Sequence, residues 1–184
     1  MAGVPNWGSG SVAERLDRLE ALEQIRLLAS RYALCVDTKN LDDLVQLFVE
    51  DVRVGANETG RAAFRKWFAA TLSGFRVSIH QVMNHIIDID DPDHAHGVVY
   101  CRDEIDKGDG KWNIGTIQYW DTYERRGGRW YFKRRKVLRW YMVDALTRPA
   151  HGLDVHRGQS NVPQAQLPEA WPTWERFWKE DAIK

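Results

Sequence analysis

The chain has 184 residues, enough for one domain with a real core. Its 26 Lys and Arg balance 26 Asp and Glu, so the charge draws it to neither nucleic acid nor an anionic membrane. No uncharged apolar run is long enough to span a membrane, no secretory signal opens the chain, and Cys35 and Cys101 fit no zinc or redox spacing. A cytoplasmic protein with two buried free thiols is expected.

Residues 1–10 are rich in Gly, Ser and Pro and read as a disordered N-terminal segment. A long helix is predicted from Ser11 to Val36. Ser11 caps it, with Glu14 as capping-box partner, and Val12, Leu16, Leu19, Leu22, Ile25, Leu28 and Tyr32 recur at helical spacing. A second, shorter helix starts at Asn40, a short strand lies within Asp51–Val54, and a third helix spans Gly60–Leu72 with Phe64, Trp67 and Phe68 on one face.

From Phe75 onward the period changes to two. Phe75–Ile89, Ala95–Ile105, Asn113–Arg126 and Arg129–Val143 read as four strands. The turns Asp91-Pro92-Asp93, Lys107-Gly108-Asp109-Gly110 and Gly127-Gly128 join them so tightly that neighbours must be antiparallel. A C-terminal tail, 146–184, holds an irregular polar stretch and then a short Trp-rich helix near Pro172–Lys179. Helices followed by a meander argue an α+β fold. Its three N-terminal helices would pack on the concave side of a cone-shaped, curved antiparallel sheet, with a hollow interior.

Asp37 and His80 carry the chemistry. A carboxylate at a helix C-terminus opposes the helix dipole and calls for a partner. A carboxylate that orients an imidazole makes it a better general base. Strict alternation puts His80 with Ser78, Val82 and Asn84, and puts His85 on the opposite, more apolar face, so His85 is its rival.

Asp103 shares an otherwise apolar face with Val99, Cys101 and Ile105, which is costly unless the acid is paired or functional. Arg134 and Arg135 fall on opposite strand faces, and alternation does not choose between them. Tyr32 and Asp37 lie about 140° apart around a helix. The pair His94 and His96 abuts a Pro turn with no third ligand indicated, so no metal site is expected. Aromatic residues that wall a pocket would imply a bulky apolar ligand.

The stretches "RYALCVD" (31–37), "SIHQVMNHIIDID" (78–90) and "GGRWYFKRRKV" (127–137) resemble the SnoaL-like branch of the nuclear transport factor 2-like superfamily over roughly residues 12 to 145. The resemblance is nearest to the group of bile-acid 7α-dehydratase, scytalone dehydratase and hexachlorocyclohexane dehydrochlorinase. It implies a SnoaL-like catalytic domain over 11–145 and a cofactor-free lyase acting by dehydratase-type elimination on a hydroxylated polycyclic or aromatic, steroid-like or polyketide-like substrate. It implies His80 as base with Asp37, and Tyr32, Arg135 and Asp103 in support. Asn84, Phe48, Phe64, Trp67, Phe68 and Trp120 are assigned to the substrate pocket. A homo-oligomer is expected, a trimer ahead of a dimer. The other readings are an isomerase or cyclase with a carboxylate base, and a non-catalytic binding or dioxygenase β-subunit-like module, since this fold serves many functions.

Overall fold

The computed structural model describes residues 8–146, 170–176 and 179. Its elements in chain order are α1 (Val12–Asp37), α2 (Leu41–Gln46), β1 (Arg53–Val54), β2 (Glu58–Thr59), α3 (Arg61–Leu72), β3 (Val77–Ile89), β4 (His94–Asp106), β5 (Trp112–Arg126), β6 (Arg129–Asp144) and α4 (Pro172–Arg176). The two-residue pair β1–β2 includes a strand with no sequence signal of its own. Residues 1–7 of the expected disordered stretch and most of the tail lie outside the described residues.

Strands β3 to β6 form one open antiparallel sheet in sequential order, as tight turns require. Helix α1 packs against β3 and β6. The core between helices and sheet gathers Ile25, Leu28 and Tyr32 of α1, Phe64 and Phe68 of α3, and Val99, Cys101, Tyr119, Tyr123 and Phe132 of the sheet. This is the expected α+β layout, helices on the inner face of a curved sheet. No helix of the described residues is long and apolar enough to cross a membrane.

Helix α1 opens on the Ser11–Glu14 capping box, a feature typically worth about 1 kcal/mol. Its first turns differ from the expectation. Val12, Leu16 and Leu19 are more than half exposed.

The other end of α1 is a Schellman motif. Asn40 N–H bonds Cys35 O at 2.8 Å and Lys39 N–H bonds Val36 O at 3.2 Å. Lys39 takes the left-handed conformation usually left to glycine (φ 56°). Its Nζ donates to Leu72 O (3.2 Å) and Phe75 O (2.7 Å), which ties the end of α1 to the end of α3. That tie sets where Asp37 points.

Arg61 fixes the start of α3. Its Nε bonds Phe48 O at 2.9 Å and its Nη1 bonds Gln46 Oε1 at 2.8 Å. The aromatic face of α3 is thereby held against Phe48 and Tyr32.

Candidate active site

The site begins with a break in the β3 ladder. His80 pairs with Asp103 and Val82 with Cys101, but the next pair is His85 with Val99. Three steps on β3 oppose two on β4, a β-bulge. The bulge turns His85 onto the face that already carries His80 and Val82. Asn84, exposed within the bulge, loses the inner position that alternation gives it. Both histidines therefore face the core side, and Asn84 is withdrawn as a pocket residue.

His80 is held twice by one carboxylate. Its Nδ1 lies 2.6 Å from Asp37 Oδ1, and its backbone N–H donates to Asp37 Oδ2 at 2.8 Å. The second bond exists because β3 is an edge strand, so the N–H that faces away from β4 is free to bond a side chain. An ionised carboxylate accepts, so Nδ1 carries the proton and Nε2 is left as the bare base. The two side chains are 10% and 24% exposed.

Asp103 stands opposite His80 on β4 and is buried. Burial pushes its carboxyl above the usual range, against the pull of His80 and Arg139. Its Oδ1 has no hydrogen-bond partner among the described residues. Gly115 faces it from β5, and a side chain there would collide with Asp103 Oδ1. The missing side chain leaves room for the acid. Nothing in the sequence marked Gly115 for this part.

A second polar cluster occupies the same face further along. Arg135 grips Asp121 across the β5–β6 ladder, Nε to Oδ1 at 2.9 Å and Nη2 to Oδ2 at 2.6 Å. Tyr123 Oη donates to Asp121 Oδ2 at 2.9 Å, and His85 Nε2 lies 3.0 Å from Tyr123 Oη. Arg135 lies 4.3 Å from the ring centre of Tyr32, 4.1 Å from Tyr119 and 4.2 Å from Phe132. Burial opposes its charge, but Asp121 more than offsets this, so the guanidinium stays protonated. Burial, with Arg135 and Arg26, pushes the His85 imidazole down to about 4. Neutral His85 is thus a strut for Tyr123. Asp121 and Tyr123 were missed at the sequence level, although Asp121 between Tyr119 and Tyr123 is the same signal that picked out Asp103.

Tyr32 lies among the rings of Phe48, Phe68, Tyr119 and Phe132. Burial raises its hydroxyl to about 12, against the charge of Arg135, so it remains a donor. Tyr32 and Arg135 border a cavity of about 780 Å³, with Phe48, Phe64, Trp67 and Phe68 also in its wall. Asp37, His80 and Asp103 are not among the lining residues. The five site residues therefore divide into two groups: His80, Asp37 and Asp103 at the β3 edge, and Tyr32 with Arg135 at the cavity.

Trp120 is on neither. Its parity puts it on the outer face, where its ring lies 4.5 Å from Trp171 and both indole N–H groups donate to Gln118 Oε1. The described part of the tail thus docks on the outside of β5. Among the described residues no three His, Cys, Asp or Glu side chains gather as a metal ion would need. His94 and His96 instead pair with Asp91 and Asp90.

The solved structures similar to this chain include three with a described or candidate activity. One is a candidate scytalone dehydratase from Novosphingobium aromaticivorans, with 25% identity and a TM-score of 0.62 over 75% of this chain and 96% of that one. Another is a type-3 hexachlorocyclohexane dehydrochlorinase from Novosphingobium barchaimii, with 21% identity and a TM-score of 0.63 over 73% and 99%. The third is a candidate aromatic ring hydroxylase from Novosphingobium aromaticivorans, with 21% identity and a TM-score of 0.60 over 70% and 95%. At 21% identity these last two show the fold alone. A family model described as the SnoaL-like domain matches residues 17–136. The chain belongs to the SnoaL-like domain family, within the nuclear transport factor 2-like superfamily.

Proposed function

We propose that the protein is a cofactor-independent lyase that eliminates water from a hydroxylated polycyclic or aromatic substrate. The observation that carries this reading is the double hold of Asp37 on His80, which leaves Nε2 bare. Such a base takes a proton from carbon beside a carbonyl, and Asp37 then stabilises the imidazolium. Asp103, whose carboxyl burial pushes up, faces the same base and supplies a proton to the departing hydroxyl. Tyr32 is a buried donor suited to a developing oxyanion, a contribution of about 3–4 kcal/mol where such donors have been measured.

The role of Arg135 changes. Both of its inward N–H groups are spent on Asp121, so it acts through its charge beside Tyr32 rather than as a ligand for substrate. Exposed apolar side chains on α1 (Leu16, Leu19, Leu27, Leu34) and on the outer side of β3 (Ile79, Met83, Ile86) support the expected homo-oligomer.

The test is turnover of β-hydroxy ketones and hydroxylated steroid enones, followed by the new conjugated absorbance, in wild type and His80→Ala. The reading expects a wild-type signal that falls about 10²–10⁴-fold in the variant while folding is kept. A folded variant that keeps most of the turnover would sink it.

One observation favours a second reading, a ligand-binding module. The cavity is walled by Tyr32 and Arg135 but not by His80. Under that reading wild type turns over nothing in the panel, and His80→Ala binds apolar ligands as wild type does.

A further inference from the structure

The residues lining the cavity include four cations, Arg53, Lys133, Arg134 and Arg135, and no carboxylate among the described residues. Their charges are not equally available. Arg135 is neutralised by Asp121. Lys133 is shared between Glu124 at 3.0 Å and Asp51 at 3.5 Å. Arg53 donates only to backbone oxygens, Gly55 O at 3.2 Å and Ala56 O at 3.4 Å, which leaves its charge uncancelled. Arg134 is exposed, and among the described residues no carboxylate, carbonyl or ring takes its guanidinium.

The rest of the wall is apolar. Tyr32, Phe48, Val52, Val54, Phe64 and Phe68 are buried and form the deep part. Trp67 is half exposed, and its ring lies nearly parallel to Phe64 (6.0 Å, 8°), a flat surface at the opening. An apolar interior whose one buried cation, Arg135, is cancelled by Asp121, with uncancelled cations on exposed residues of the wall, selects an amphiphile of one kind. The flat hydrocarbon body enters and an anionic end stays at the rim.

The geometry points to Arg134, assisted by Arg53, as the anchor for a carboxylate carried by an apolar polycyclic ligand. This deepens the proposed function, because it names the substrate class of that cavity as anionic. The sequence could not choose between Arg134 and Arg135. The structure divides their work: Arg135 is closed in by Asp121, while Arg134, paired with Thr122 on the opposite strand face, is exposed where both residues border the cavity. Arginine suits the task because its planar fork binds a carboxylate through two parallel hydrogen bonds.

The experiment uses 1-pyrenebutyrate and the neutral 1-pyrenebutanol, with binding read by pyrene fluorescence anisotropy on wild type, Arg134→Gln and Arg134→Glu. Wild type should bind the carboxylate about tenfold more tightly than the alcohol at low salt. Added salt should shrink that preference. Arg134→Gln should lose most of it, Arg134→Glu should reverse it, and neither should change affinity for the alcohol much. Intact carboxylate preference in wild type with a silent elimination panel would defeat the proposed reaction and keep the anchor. Equal affinity of wild type for acid and alcohol, no binding of the acid, or a preference that survives in Arg134→Gln would overturn the anchor.

Discussion

Asp37 with His80, at the β3 edge, and Asp121 with Arg135, within the β5–β6 ladder, are both carboxylates matched to a nitrogen base on one face of one sheet. The first pair uses the carboxylate's two oxygens on one ring nitrogen and one backbone N–H, and leaves Nε2 over. The second spends both oxygens on a guanidinium and closes it in, with side chains 4% and 0% exposed. Position in the sheet decides the difference. Asp37 comes from α1 and meets a spare backbone N–H on the edge strand β3, whereas Asp121 lies on the inner strand β5 and meets the side chain of Arg135 across the ladder. A pair with an unsatisfied nitrogen is suited to reaction, and a fully satisfied one is suited to holding rings in place.

Substitution of each pair should separate these roles. His80→Ala is expected to act on rate, by the two to four orders of magnitude given above, with little effect on stability. Arg135→Met should do the reverse. It strands Asp121 in the core, at a cost of about 3–5 kcal/mol. Denaturant unfolding would show it, and the double variant Asp121→Asn with Arg135→Met should recover part of the loss. If Arg135→Met folded as stably as wild type and lost only activity, Arg135 would belong with the reactive pair.

A smaller effect comes through His85, which supports the second pair. Its imidazole titrates near 4 in the folded chain, against 6.5 for an ordinary solvated histidine, so between these values the unfolded chain binds more protons. Its contribution is present above about pH 6.5 and is lost as pH falls toward 4, on the order of 3 kcal/mol at most. His85→Gln should therefore flatten the acid side of the stability profile. An unchanged profile would remove His85 from that network.

Asp103 works in the opposite sense. Burial raises its carboxyl, so the folded chain holds that proton longer than the unfolded one. Stability from this source is present at acid pH and is lost as pH rises through the folded value. Asp103→Asn should thus gain on wild type toward neutral pH and lose turnover. A variant that is less stable at neutral pH would show the acid to be a paired structural group.

Much of this was legible in the chain. The Ser11–Glu14 box, the Asn40 cap and the Gly127-Gly128 turn placed the helices and hairpins within a residue or two, because caps and turns are local chemistry. The His80–Asp37 pairing was legible because a carboxylate at a helix end needs a partner. What alternation could not show was the bulge after Val82, which moves His85 inward and Asn84 outward. Nor could it show that Asp121 neutralises Arg135, since that depends on cross-strand register between residues fourteen apart. Trp120 was assigned to the pocket on its aromaticity alone, and strand parity put it on the outer face.

The proposed catalysis by His80 depends on Asp37 fixing its tautomer, and long-range nitrogen–proton NMR of the histidine rings reads that directly. Near neutral pH the His80 ring should show a protonated Nδ1 and a bare Nε2, a pattern that blurs into mixed tautomers in Asp37→Asn. A proton found on Nε2, or a spectrum indifferent to Asp37→Asn, would contradict it.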